Sequence, residues 1–255
     1  MRILLTNDDG YEARGLAELV SILKPFGELT VVAPKFPQSG MSMAVNLGMI
    51  PIAVKQLPDR DGVHWWYVDA TPSGCVKYGL DELFTDGAPD VVVSGINHGA
   101  NAASASMYSA TVGAAKEGAL AGILSIAVSV DDFSPDADFS AVRAIFPEIL
   151  RKLVSNPASD RQTYYNINFP KGTPAGTKIS YQGTVHWVKE FRDCPFPVAA
   201  EEGEKVYVMA GDLTDDPRND EGADHRQMEG GFVTICPLKL DSTDYAEKQR
   251  LETLF

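Results

Sequence analysis

Cysteine is scarce. Cys75, Cys194 and Cys236 are the only three in 255 residues, far apart and never in a C-x-x-C pair. That argues against a disulfide framework and a thiolate zinc site, and it fits a reducing compartment, so the cytoplasm is the expected location. Basic residues are also few: 22 Lys and Arg stand against 35 Asp and Glu, a net charge of -13. A polyanion meets a repulsive field at such a chain, which argues against DNA, RNA or an anionic membrane as partner; a small anion held through a metal ion stays compatible. No apolar run approaches the ~20 residues that a membrane span needs. No basic segment leading into an apolar one opens the chain, so a soluble, unprocessed protein is expected. Several catalytic signatures are missing as well. There is no G-x-x-x-x-G-K-[ST] loop and no G-x-S-x-G elbow, and the four histidines, His64, His98, His186 and His225, show no spacing such as H-E-x-x-H.

What is present is alternation. Short apolar runs at residues 2–6, 29–34, 64–70, 90–95 and 125–130 are separated by helical patterns, the order of βαβ units. Leu16, Leu19, Val20 and Leu23 recur on one helix face, and Pro25 to Gly27 stop that helix. Thr71 caps a helix that has Pro72 in its first turn, and further helices are predicted over 111–121 and 137–154. The fully apolar DVVVSG reads as a strand buried on both faces. Residues 35–62 read as a long functional loop with one short strand near 50–55. Trp65 and Trp66 alternate, so one faces the core and the outer one packs under a helix. Beyond a strand at 164–169, residues 172–231 are rich in Gly, Pro and charge; they read as extended strands and hairpins, followed by a late strand (232–238) and a terminal helix (242–254) with little to bury against. The expected fold is α/β, a Rossmann-like, mostly parallel sheet with helices on both faces. Residues 1–170 form its catalytic core, and 171–255 an extended hairpin and helix region used for subunit contacts.

In an open parallel sheet ligands bind at the carboxyl ends of the strands. Those ends carry Asn7-Asp8-Asp9-Gly10, Gln38-Ser39-Gly40, Asp69, and Asn97-His98-Gly99. Asp8, Asp9, Ser39 and Asn97 together offer only oxygen donors, which select a hard cation such as Mg²⁺ or Mn²⁺ over zinc. By itself DDG is equally a solvated turn, and Ser39 or Asn97 taken singly a loop or capping residue. Ser109 and Thr111, where a small-residue loop enters a helix, suit an anion at the helix N-terminus, or a plain N-cap. His98 is the one histidine at these strand ends, a general acid or a solvated side chain. The acidic run Asp212, Asp215, Asp216, Asp220, Glu221 and Asp224 reads as a solvated loop.

With MRILLTNDDG, VVAPKFPQSGMS, YVDATPSGCV, PDVVVSGINHGAN, YSATVGAAKEGALAGILSIAVS and GFVTICPL in order and spacing over nearly the whole length, the chain resembles the SurE survival-protein family of metal-dependent nucleotide phosphatases. The resemblance implies one divalent cation per subunit on Asp8, Asp9, Ser39 and Asn97, with Asp8 and Asp9 catalytic. It places Gly40, Asn101, Ser109 and Thr111 around the bound phosphate. It also implies hydrolysis of nucleoside 5′- and 3′-monophosphates, in some members short polyphosphate, by a homodimer or homotetramer. The chain departs from the family pattern at Ala70, Ala110, Ala103-Ser104-Ala105, Leu124 and Gly222-Ala223-Asp224. A β-carbon at Ala110 either crowds the pocket or tightens the turn. The alternative from another class is a receiver-like Mg²⁺-binding module with Asp69 as phosphoacceptor and Ser94 as its hydroxyl; it lacks the lysine expected after SIAVSV. A haloacid-dehalogenase site would need Asp where Gly10 stands.

Overall fold

Along Arg2–Thr6 the apolar side chains alternate faces: Ile3 and Leu5 pack into one hydrophobic cluster and Leu4 into another, each fully buried. A strand of this kind is stable only with both faces covered, and each such side chain contributes about 1.5–3 kcal/mol by leaving water. The computed structural model describes residues 1–255 and supplies both covers. Its elements are β1 (Arg2–Thr6), α1 (Arg14–Leu23), β2 (Glu28–Pro34), β3 (Val54–Arg60), β4 (Val63–Val68), α2 (Pro72–Tyr78), β5 (Val91–His98), α3 (Ala105–Tyr108), α4 (Ala110–Leu120), β6 (Leu124–Val130), α5 (Ser140–Ser155) and β7 (Thr163–Phe169). There follow β8 (Gly176–Ile179), β9 (Val185–Val188), β10 (Phe191–Asp193), β11 (Tyr207–Met209), β12 (Asp212–Asp215), α6 (Asp224–Glu229), β13 (Phe232–Lys239) and α7 (Tyr245–Glu252).

Nine strands form one sheet in the order β3-β4-β2-β1-β5-β6-β7-β13-β8. The run from β4 to β7 is parallel, whereas β3 and β13 lie antiparallel to β4 and β7. Leu16, Leu19 and Leu23 of α1 and Val142, Phe146 and Leu150 of α5 cover one face. Cys75 and Val76 of α2 and Ala114 of α4 cover the other. This is the expected α/β architecture. Sequence order reverses at β1, where β2 lies on one side and β5 on the other, so a crevice opens beyond the carboxyl ends of β1 and β5.

Local signals account for the elements that were predicted. Thr71 Oγ1 accepts from Gly74 N at 3.3 Å, and Pro72 occupies the first turn of α2. Trp65 is buried on the α1 side while Trp66 packs against the α2 side, as alternation requires. Two expectations need correction. The strand placed near 50–55 is β3, at 54–60; it is an exposed edge strand whose register breaks between Leu57 and Arg60, around Pro58. The VVVSG strand runs on through Asn97 and His98, because a bulge between Ser94 and Asn97 lets its end keep pairing with β6. In the C-terminal part, β8 and β13 join the central sheet, while β9–β12 and β10–β11 form two-stranded ladders that project from it. None of the residues of α7 is buried.

Candidate active site

The NDDG turn is built from within. Asn7 is buried and its Nδ2 donates to Gly10 O at 2.9 Å; Gly10, at φ 101°, takes the left-handed conformation the reversal needs. Gln38 N donates to Asp8 O at 2.7 Å, which lays the loop after β2 against this turn. Asp8 is only 3% exposed, so the solvated-turn reading fails for it. Its Oδ1 accepts from Thr111 Oγ1 at 2.5 Å. Burial pushes its carboxyl up to about 6; the Thr111 hydrogen bond opposes that rise, and the neighbouring Asp9 charge adds to it. Asp9 is a quarter exposed and lies 3.2 Å, Oδ2 to Nδ1, from His98, whose ring rests edge-on against Phe139.

The β5 bulge aims Asn97. Its Nδ2 donates to Gly99 O at 2.7 Å, which leaves Oδ1 as the atom for a ligand. Ser39 and Gly40 sit exposed on the facing loop; Gly40 is at φ 75°, in open space. That loop is held to α3 through Ser42, whose N donates to Tyr108 O at 2.8 Å and whose Oγ donates to Met107 O at 2.8 Å. It also lies directly on α4, because a β-carbon on Gly113 would stand 2.0 Å from Ser42 O. Ser109 caps α4, accepting from Val112 N at 3.1 Å, and the first N–H groups of α4 lack intrahelical acceptors. Asn101 is fixed three times: its N donates to Asn168 Oδ1 at 2.8 Å, its Nδ2 to Ser129 Oγ at 2.8 Å, and its O accepts from Asn166 Nδ2 at 2.7 Å.

Asp8, Ser39, Gly40, Asn97, Asn101 and Ser109 thus line one cleft of about 250 Å³, together with His98 and Tyr108. Thr111 lies beneath it, wholly buried, and reaches it through Asp8; Asp9 stands beside its wall at His98. Ala110 is wholly buried and is not on the cleft wall, so its β-carbon does not crowd the pocket. A larger groove of about 800 Å³ runs between α5 and the β7–β13–β8 end of the sheet, but its lining is chiefly apolar and no carboxylates converge in it. The smaller cleft is the one where the polar side chains gather.

No three His, Cys, Asp or Glu side chains are grouped so that they could hold a metal ion, so a cation here would rest on two carboxylates and neutral oxygens. The residues fit that role. Asp8 is a buried carboxyl beside a second carboxylate, with a hydroxyl rather than a cation as its side-chain partner. Such a group is costly unless it is protonated or a positive ion joins it. The receiver-like alternative does not fit. Asp69 follows β4, which β2 separates from β1, and Asp69 does not line the cleft.

Two sets of residues were missed from sequence. Asn166 and Asn168 sit at alternate positions of an apolar strand, fully buried; amides at i and i+2 in YYNINF were the available signal. The acidic run is not a solvated loop throughout. Asp215 pairs with His225 and Arg226, and Asp216 with Arg218. Asp224 is wholly buried and accepts from Ala103 N, Gly183 N and His225 N at 2.9–3.0 Å, which fastens the cleft loop to the C-terminal ladders.

The profile of the family described as Survival protein SurE matches residues 3–189. Curated relatives include the 5′-nucleotidase SurE of Porphyromonas gingivalis, 35% identical over 256 residues, which take in 100% of this chain and 96% of the relative. That of Rhodopirellula baltica is 38% identical over 247 residues, 95% of this chain and 94% of the relative. Among solved structures, the SurE protein from Aquifex aeolicus matches with a TM-score of 0.81 at 29% identity, covering 100% of this chain and 99% of that one.

Proposed function

This chain belongs to the SurE family, and we propose on that premise that it hydrolyses nucleoside 5′-monophosphates to nucleoside and phosphate with the aid of one divalent cation per subunit. The observation that carries the reading is Asp8, a buried carboxyl without a cationic partner at a cleft that also presents Ser39, Asn97 and Ser109. Asp8, Asp9, Ser39 and Asn97 would hold Mg²⁺ or Mn²⁺, which supplies Lewis-acid polarisation and acidifies water at neutral pH. Asp8 is oriented by Thr111, and Asp9 by His98. The carboxylate oxygen left free on this pair orients the attacking water in line with the ester oxygen. Ser109 at the N-terminus of α4, Gly40 and Asn101 would face the phosphate and stabilise charge on its oxygens, with Thr111 acting from below through Asp8.

The reading extends to 3′-monophosphates and short polyphosphate, to residues 1–170 as the catalytic core, and to residues 171–255 as the source of contacts in a homodimer or homotetramer. Phe191, Met209 and Leu213 are exposed on the projecting ladders, which supports the last point. The cysteine usage supports a cytoplasmic setting, and no helix is long and apolar enough to cross a membrane. Phosphate release from AMP in Mn²⁺, then in EDTA, then after Mn²⁺ is restored, tests the proposal. Activity should vanish and return, and unchanged turnover in EDTA would refute the cation's part.

A further inference from the structure

A second cleft of about 600 Å³ adjoins the first, and Ala105 and Tyr108 line both. Its remaining wall comes from the projecting ladders: Trp187, Glu190, Met209 and Gly211. Tyr108 and Trp187 stand with ring centroids 6.0 Å apart at 75°, and Tyr108 is 61% exposed, a large aromatic face left open beside the phosphate side of the site. Gly211 makes the wall possible, since a β-carbon there would lie 2.9 Å from Trp187 Cβ and 3.0 Å from Glu190 Cγ. The ladder is not loosely placed. Val185 N donates to Ser104 Oγ at 3.0 Å, and buried Asp224 accepts from both Gly183 N and Ala103 N, so β9 is pinned to the loop that forms the first cleft.

We propose that this second cleft holds the nucleobase of the substrate between Tyr108 and Trp187, stacked on one ring and edge-on to the other, with the Glu190 carboxylate reading its edge. The proposal rests on the first cleft being the phosphate site. Aromatic faces stack on any base, so they supply affinity without choice. Choice comes from Glu190, the one carboxylate of the wall. A carboxylate accepts only; guanine offers it two adjacent donors, N1–H and N2–H, and adenine an amino group, whereas uracil flanks its single N–H with two carbonyl oxygens. The order expected is GMP, then AMP, then UMP.

The test compares kcat/KM for GMP, UMP and ribose 5-phosphate, which carries the same phosphate and no base. In the wild type GMP should exceed ribose 5-phosphate. Trp187→Ala should lower that ratio about tenfold, equivalent to about 1.4 kcal/mol, while Trp187→Phe, which keeps an aromatic face, retains it. Glu190→Gln should lower the GMP-to-UMP ratio severalfold. Ratios unmoved by Trp187→Ala and Glu190→Gln overturn the proposal. Calorimetric titration with guanosine, which has no phosphate, separates the two readings. Binding that Trp187→Ala weakens about tenfold supports the base cleft even if no phosphate ester is hydrolysed, and absent or unaltered guanosine binding refutes it even if AMP is a substrate.

Discussion

Asp8 takes a single side-chain hydrogen bond, from Thr111, and is almost wholly buried although it lines the cleft. Thr111→Val removes that donor while preserving volume. The loss of a hydrogen bond to a buried carboxyl costs about 1–3 kcal/mol, to be read as a lower urea midpoint. Activity on AMP should fall about 10- to 100-fold, the usual range when the outer partner of a ligand is lost. Asp224 illustrates a different residue-scale effect. Three backbone N–H groups depend on its carboxylate, one of them Ala103, 121 positions away in sequence. Asp224→Ala leaves those donors unpaired in a dry site, so destabilisation of about 3 kcal/mol or more is expected in the same measurement. Nothing local distinguishes Asp224 from its acidic neighbours. Burial decided by Ala103 and Gly183 cannot be read from a run of charges, whereas Asp8 and Asp9 stood out because a strand end fixed where they point.

At the scale of elements, α4 shows how small residues place the site. Gly113 is internal to the helix, where Ala would improve helix propensity by about 1 kcal/mol. Its β-carbon would meet Ser42 O at 2.0 Å, and forcing that contact costs about 1–3 kcal/mol, so packing wins. Gly113→Ala should therefore lower stability slightly and cut activity more sharply, because the loop that moves carries Ser39. Comparing the urea midpoint with kcat/KM on AMP separates the two effects.

The ladder of β9 and β12 is tied to α6 by Asp215, whose carboxyl is held down to about 2 by Asn219, Arg226 and His225. A depressed carboxyl pKa contributes stability that is fully present above the ordinary value of 3.8 and is lost as pH falls toward about 2. Fluorescence of Trp187, which sits on β9, should therefore change between about pH 4 and pH 2. A flat trace across that window would show that the ladder does not depend on Asp215.

Across the whole molecule, what was legible followed the range of the forces involved. β1, β6, the first half of β5, the Thr71 cap and the rim of strand ends rest on local periodicity, capping and topology, and they appear where expected. The edge strand β3 slid to 54–60, and the end of β5 at Asn97 and His98, beyond the bulge, was seen only as a loop, because pairing with β4 and β6 sets those registers. β8 to β12 run three or four residues each, too short and too exposed for a period to show. The same division runs through the site. Its carboxylates and hydroxyls were readable, while the amides of Asn166 and Asn168 and the anchor Asp224 depend on chain segments that meet only in the fold.

The central claim is that the paired carboxylates after β1 organise phosphate-ester hydrolysis. Phosphate release from AMP in Mn²⁺ by the wild type, Asp8→Asn and Asp9→Asn tests it directly. Each substitution should lower kcat/KM by about 10³-fold while the folded state persists, in keeping with the loss of one preorganised electrostatic partner at a reacting centre. Turnover at the wild-type level in both variants would contradict the claim.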